Sequence, residues 1–434
     1  MEWFLTLLSI EKKRRALLIA PDRSYRTGAF VLAAQKLGIE LVVASFGEAC
    51  LASRSGGLAL NRESGAEALD TISRAVAENP FAAILASDDE TVGLAGVAAE
   101  RNGLPGNSAD AIKALTSKIQ FRRFCQSNDT QGPGFIALDS KNLDRGAPPG
   151  VHYPCVAKPA LLSASRGVIR CDNPGELSRA LKRIHSLLYS EGKLGEDAVL
   201  VEDYIDGLEY AVDGLLKRGR LQVLAIFEKP DPMAGPFFEE TIYLTPPRLS
   251  HKVAGEVIAA LENLCRKLGI CEGALHAELR INSSGVWFLE IAGRTVGGRC
   301  GRILEFQTGR SLEELVLANA TRLPAAVGES TGSSGVMMIP VTQGGVLRRV
   351  EGISAARRVP DIVDVEIDVR EGQILVPWPE GCAYPGFIFA RARTVADVER
   401  ALRAAHRCLN FVLAPHLPAT TGLQEYNHRP KIRN

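Results

Sequence analysis

Long apolar runs are missing from this chain. The apolar stretch over residues 3–10 is far too short to span a bilayer, which takes about 20 residues. The basic cluster at 12–15 follows that stretch, whereas a secretory signal places its basic residues first. Residues 1–15 are therefore expected to be a terminal helix or tail, and no membrane partner is expected. An excess of one charge is missing too. The 51 Lys and Arg against 50 Asp and Glu give a net charge of +1, which argues against a broad nucleic-acid surface. Nine cysteines lie scattered with no CxxC pair, which fits neither a disulfide framework nor a zinc site and suits reduced thiols in the cytoplasm. There is no internal repeat and no low-complexity tract. What is present, 434 residues with 46% hydrophobic and 23% charged content, is the composition of a globular protein of several domains.

The stretch 273–299 organises the rest. Two alternating runs flank Asn282-Ser283-Ser284-Gly285, which predicts a β-hairpin. A three-residue loop from Ser283 to Gly285 places Gly285 where φ must be positive. In that register Glu278 faces Glu290. One face carries Ala277, Leu279, Ile281, Trp287, Leu289 and Ile291. The other carries His276, Glu278, Arg280, Phe288, Glu290 and, if the strand continues, Arg294. Like charges set directly opposite repel, so the two glutamates need a reason. A hard divalent cation supplies one. A solvated polar face with Arg280 neutralising one carboxylate supplies another.

Upstream, short apolar runs at 16–20, 39–45 and 81–86 alternate with helical segments at 28–37, 66–77 and about 91–102. This alternation predicts a parallel sheet with helices on both faces. Ligands of such sheets gather at the carboxyl ends of the strands. Ser87-Asp88-Asp89-Glu90 lies at one such end; Asp88 or Asp89 would cap the helix, and Glu90 is a candidate for holding a substrate ammonium. A single helix over about 108–126 carries Lys118 and Arg122 on one side. Strand 153–158, the small-residue loop 163–167 and strand 168–170 form a hairpin whose backbone can approach phosphate, with Arg166 adding charge. Glu202 and Glu209 flank the turn between strands 198–204 and 208–216. A long helix over 250–268 ends at Gly269, and a helix over about 311–320 follows the hairpin. From about 323 the chain is β-rich, with strands at 336–341, 346–351, 363–369 and 387–391, a helix over 394–409, and a frayed end over 417–434.

These stretches, in this order, resemble the ATP-grasp superfamily of carboxylate–amine ligases, in the branch of bacterial L-amino-acid ligases and biotin-carboxylase-like enzymes. The resemblance spans nearly the whole chain and rests on joint order more than on any one motif. It implies a multidomain fold of α/β and α+β parts: a doubly wound pre-grasp domain (1–112), the ATP-grasp domain (113–322, with a lid subdomain at about 151–228) and a β-rich C-terminal domain (323–434). The family's two ATP lysines match Lys118 and Lys158, although Ser117 stands where an acidic neighbour is usual. The phosphate lid matches residues 163–168, with Ser163, Ser165, Arg166 and Gly167 as contacts. The adenine linker matches Glu202, Tyr204 and Ile205, and the ribose carboxylate matches Glu209. The metal carboxylates match Glu278 and Glu290, for one or two Mg²⁺ ions with Mn²⁺ as a substitute; Ala292 replaces a common asparagine, which thins the ligand set. Arg294 matches the arginine beside the transferred phosphoryl group, and Gly297 and Gly298 match the turn near the carboxylate substrate.

The activity so implied joins a small carboxylate to a small amine at the expense of ATP, through an acyl phosphate, in the cytoplasm, with a homodimer as one expected assembly. Lys158 and Arg294 would be catalytic. Glu90 and Glu239 would hold ammonium groups, and His276 would position substrate or act as a base. Two alternatives remain open: activation of bicarbonate by a biotin-carboxylase-like enzyme, and nucleotide binding without catalysis.

Overall fold

The computed structural model describes residues 14–22, 24–47, 56–325, 328 and 332–415. The expected N-terminal helix or tail and the expected frayed end fall on residues outside this set, except that Arg15 opens the first strand. Strands β1 (Arg15–Ile19), β2 (Glu40–Phe46), β3 (Leu58–Leu60) and β4 (Ala83–Ala86) form a parallel sheet in the order β3-β2-β1-β4. Successive residues of a strand point to opposite faces, and β1 uses both. Ala16 and Leu18 pack with Phe30 and Ala33 of helix Thr27–Leu37. Leu17 and Ile19 pack with Ile72 of helix Gly65–Glu78 and Ala98 of helix Asp89–Arg101. This is the doubly wound arrangement that the alternating pattern predicts.

Strands β5 (Phe135–Leu138), β6 (Cys155–Pro159), β7 (Ile169–Cys171) and β8 (Val199–Asp203) form an antiparallel sheet, in the order β5-β8-β6-β7. Helix Pro174–Ser190 covers it through Leu177, Leu181 and Ile184. The largest sheet takes β9 (Leu208–Lys217), β10 (Arg220–Lys229), β11 (Ile242–Thr245), β12 (Gly273–Asn282), β13 (Gly285–Ala292), β14 (Ser333–Met338), β16 (Ile362–Ile367) and β18 (Gly386–Ala392). Their order is β13-β12-β9-β10-β11-β14-β18-β16, so β11 joins the hairpin half to the C-terminal half. Helix His251–Leu268 packs Val257, Leu261 and Leu264 against Leu275, Ala277 and Leu279. Strands β15 (Gly345–Glu351), β17 (Ile374–Leu375) and β19 (Asn410–Ala414) form a small sheet in the order β17-β15-β19. Strands β11 and β19 and helix Gly301–Thr308 go beyond the elements expected from sequence. No helix among the described residues is long and apolar enough to cross a membrane.

Two local expectations need correction. The single helix over 108–126 is two helices, Ala109–Thr116 and Lys118–Ser127. Ser117 between them is extended (φ −137°, ψ 116°), and its side chain accepts from the Gln120 N–H, as an N-cap does. The apolar spacing hardly changes at the break, so periodicity alone runs through it.

The hairpin differs as well. Asn282 pairs with Gly285, which leaves only Ser283 and Ser284 in the loop, with Gly285 still at positive φ (118°). The register then shifts between Glu278 and Leu279. A loop one residue shorter and a bulge one residue longer cancel, and Glu278 faces Glu290 after all. Between loop and bulge, however, the phase is reversed. Phe288, expected on the polar face, pairs with Leu279 in the core at 3% exposure. Trp287 pairs with Arg280 instead, and Leu289 lines a cavity. Phe288→Ala should therefore cost about 3–5 kcal/mol, the usual range for emptying a buried aromatic site. Trp287→Ala should cost clearly less in the same urea titration; the reverse ranking would contradict the bulge.

Candidate active site

The three larger sheets meet around one cavity of about 560 Å³. At one end β8 delivers Glu202 and β6 delivers Lys158. Both are buried, and Lys158 Nζ lies 2.6 Å from Glu202 Oε2. Burial pulls the Lys158 ammonium below its usual range; Glu202 opposes this, and Arg122 and Lys118 add to it. Burial would raise the Glu202 carboxyl, but Arg122 and Lys158 outweigh it and hold it below its usual range. Arg122, expected only as part of a basic helix face, is 1% exposed and donates to Glu202 Oε1 and to the Leu289 carbonyl. Its Nη1 has no hydrogen-bond partner among the described residues. Lys118 opens the helix that carries Arg122, and its Nζ reaches the Leu162 carbonyl (3.0 Å) and Glu290 Oε1 (3.2 Å).

The lid loop contributes Ser163, Ala164, Ser165 and Val168 to the wall. Ala164 and Ser165 hold positive φ (55° and 54°), which turns the small residues inward. Arg166 and Gly167 do not line the cavity. Arg166, expected beside phosphate, is drawn outward to Glu191 (2.8 Å) and the Glu380 carbonyl (3.2 Å). The Gly167 N–H donates to the Pro379 carbonyl (2.8 Å), and Trp378 Nε1 donates to the Ala164 carbonyl (2.9 Å). The C-terminal region thus pins the lid. Tyr204 and Ile205 line the same end, and the Ile205 carbonyl accepts from Arg280 (2.6 Å). Glu209 faces inward with Lys229 on Oε1 (2.7 Å) and Arg280 on Oε2 (3.0 Å). The notion that Arg280 merely neutralises one of the opposed glutamates is thereby replaced.

Farther along, Glu278 and Glu290 oppose each other on the cavity wall. Burial disfavours the Glu278 charge, yet Lys229, His276 and Arg294 hold its carboxyl well below the usual range. Two carboxylates on adjacent strands suit a hard divalent cation. His276 Nδ1 lies 2.7 Å from Asp213 Oδ1, and Nε2 lies 3.4 Å from Glu278 Oε1. Burial works against the imidazolium, but Asp213 and Glu278 raise its pKa to about 9. A histidine protonated at neutral pH is a poor base, so the geometry favours positioning. Arg294 Nε donates to Asp89 Oδ1 (2.7 Å). Gly297 and Gly298 follow; at Gly298 (φ 58°) a Cβ would meet Met338 Sδ at 2.6 Å.

Two expected substrate carboxylates are misplaced by one residue. Glu90 is exposed and outside the lining, while Asp89 and Asp88 line the cavity. Asp88 and Asp89 make no helix-cap bond. Asp88 accepts from Ser24 Oγ (2.6 Å), and Asp89 holds Arg294. Glu239 accepts the Val341 N–H (2.8 Å) outside the cavity, and Glu240 lines it. Asp213, Lys229, Glu240 and Arg122 went unpredicted. Asp213 alone had a clear signal, since it shares a strand face with Glu209 at a period of two. Arg122→Met should destabilise the protein by about 3–5 kcal/mol, because it strands part of the buried Glu202 charge. Because Glu202 also holds Lys158, Glu202→Leu carries its own loss, but the double variant should lose less than the sum of the two in urea unfolding; purely additive losses would deny the coupling.

Residues 151–303 match an ATP-grasp domain, and residues 337–414 match the L-amino acid ligase C-terminal domain 2. Dapdiamide A synthase of Enterobacter agglomerans is 28% identical over 194 residues, 44% of this chain and 44% of that protein. Carnosine synthase 1 of Gallus gallus is 27% identical over 222 residues, 48% of this chain and 24% of that protein. An uncharacterised protein of Sinorhizobium fredii is 23% identical over 317 residues, 72% of this chain. The chain spans 64% of that last relative's length, just under two thirds. Among solved structures, the L-amino acid ligase of Bacillus licheniformis shares the fold at a TM-score of 0.76 and 23% identity, over 93% of this chain and 100% of that one. The phosphoribosylglycinamide synthetase of Anaerococcus prevotii shares it at 0.65 and 14%, over 93% and 100%. Residues 151–303 thus form an ATP-grasp domain and residues 337–414 an L-amino acid ligase C-terminal domain 2, within a fold shared over 93% of the chain.

Proposed function

We propose that this protein is an ATP-dependent carboxylate–amine ligase that forms an amide, dipeptide-like bond and releases ADP and phosphate. One observation carries the reading: a single cavity holds, in order, the Lys158–Glu202 pair, the opposed Glu278 and Glu290, and Arg294 beside Gly297 and Gly298. Carboxylate is a poor electrophile, so the substrate carboxylate oxygen first attacks the γ-phosphorus and ADP leaves. The amine nitrogen then attacks the acyl carbon. Phosphate departs with one carboxylate oxygen, and the amine gives up a proton.

The protein's share is positioning and charge neutralisation. Lys118 and Lys158 face the phosphates, Glu202, Tyr204 and Ile205 border the nucleoside, and Glu209 faces its ribose. Ser163 and Ser165 close over the phosphates and keep water out. Glu278 and Glu290 would hold Mg²⁺, or Mn²⁺ in its place, which would offset phosphate charge. Arg294 neutralises the transferred phosphoryl group and then the carbonyl oxygen. Protonated His276 keeps Glu278 in place. Asp89 and Glu240, which line the cavity, take the part expected of Glu90 and Glu239 toward substrate ammonium groups. The L-amino acid ligase C-terminal domain favours amide formation over bicarbonate activation. A cytoplasmic enzyme accords with the free thiols at the described cysteines, and a homodimer belongs to the same proposal.

Panels of carboxylates and amines, offered singly and in pairs, should give sustained ADP release only in pairs. With ¹⁸O-labelled carboxylate, label should pass into the released phosphate; AMP with unlabelled phosphate would refute the mechanism. Arg294→Ala should lower kcat by about 10²–10³ and change the KM for ATP far less. Lys158→Met should weaken ATP binding in calorimetry while circular dichroism stays unchanged; undiminished affinity would remove Lys158 from the nucleotide site.

A further inference from the structure

Three carboxylates crowd together beside the opposed glutamates. Glu209, Glu240 and Glu278 each bring an oxygen within 4.8 Å of the others. Oxygens so close ordinarily gather around a cation, and a second divalent ion is the obvious candidate. The centre of the group is already taken. Lys229 Nζ lies 2.7 Å from Glu209 Oε1, 2.5 Å from Glu240 Oε1 and 3.5 Å from Glu278 Oε1. Lys229 stands directly opposite Glu209 in the β9–β10 pair and is 3% exposed, so its backbone and its burial both hold the ammonium there.

An ammonium and a divalent ion cannot share this space. Mg²⁺ draws its oxygens to about 2.0–2.1 Å, and the two positive charges would repel across a few ångströms. The surroundings are also committed. The second oxygen of Glu209 is bound to Arg280, and Tyr243 Oη donates to Glu240 Oε1 at 2.9 Å. On β13, Ala292 offers no side-chain donor to a metal where it pairs with His276. On the Glu278–Glu290 pair, Lys229 and His276 approach Oε1 of Glu278 and Lys118 reaches Oε1 of Glu290, so Oε2 of each is left for a metal.

We propose that Lys229 is a built-in cation that replaces a second divalent ion, so that the nucleotide-loaded protein holds a single divalent ion on Glu278 and Glu290. The proposal rests on the ATP-grasp reading of the cavity and adds the number of ions to it. Lys229 is then a positioning residue: it keeps three carboxylates together and orients Glu278 toward the one metal.

The test counts ions in the full-length protein. Equilibrium dialysis with a non-hydrolysable ATP analogue measures bound nucleotide, and electron paramagnetic resonance measures bound Mn²⁺. The expected ratio is one Mn²⁺ per bound nucleotide in the wild type and two in Lys229→Met, where three carboxylates lose their resident cation. A wild-type ratio of two with nucleotide bound overturns the proposal and leaves the ATP-grasp reading standing. A ratio of one in a folded Lys229→Met variant overturns it as well. If circular dichroism shows that this variant does not fold, the wild-type ratio decides alone. Failure of the wild type to bind the analogue would remove the nucleotide reading itself, and the proposal with it.

Discussion

Charge taken out of water must be matched, and that constraint shapes the whole cavity. A buried ion pair is stable only when its remaining donors and acceptors also find partners. Here they are shared rather than paired one to one. Glu202 takes Arg122 and Lys158; Glu209 takes Lys229 and Arg280; Asp213 takes His276 and the Val296 N–H. Asp89 takes Arg294 from the other side of the cavity. Most of these bonds stay within one sheet; Arg122, which reaches from Glu202 to the Leu289 carbonyl, and the Asp89–Arg294 pair are the ones that tie sheet to sheet.

The C-terminal region is part of this closure. Trp378 and Pro379 bind the lid backbone, and Arg183 on the helix behind the lid pairs with Glu380. Trp378 also stacks on Tyr384, with ring centroids 4.8 Å apart, and Tyr384 lines the cavity. The segment that holds the lid down therefore also forms the wall at the substrate end. Nearby, Arg299 and Arg302 reach across to Glu366 on β16, which ties the glycine turn to the same region. The 163–168 loop and the cavity wall at Tyr384 are thus held by one packed segment.

The sequence by itself determined the alternating elements of the parallel sheet and the capped helix ending at Gly269, whereas the facing of Glu278 and Glu290 was reached only because a shorter loop and a bulge cancel. Apolar periodicity and turn chemistry act over a few residues, and the first two features need nothing more. The resemblance to the ATP-grasp superfamily implied that Lys118, Lys158, Glu202 and Glu209 share a site, and all four line one cavity. Tertiary structure alone decided which neighbour in each acidic pair turns inward: Asp89 rather than Glu90, Glu240 rather than Glu239. Helix and strand phase at an element's edge depends on what it packs against, and no local pattern fixes it. The same holds for Phe288 and Trp287, whose faces were set by a bulge that only pairing with β12 reveals. Arg122 reads in the sequence as part of a basic helix face and Lys229 gives no signal there, because the carboxylates that justify their burial lie 80 and 11–49 residues away in sequence.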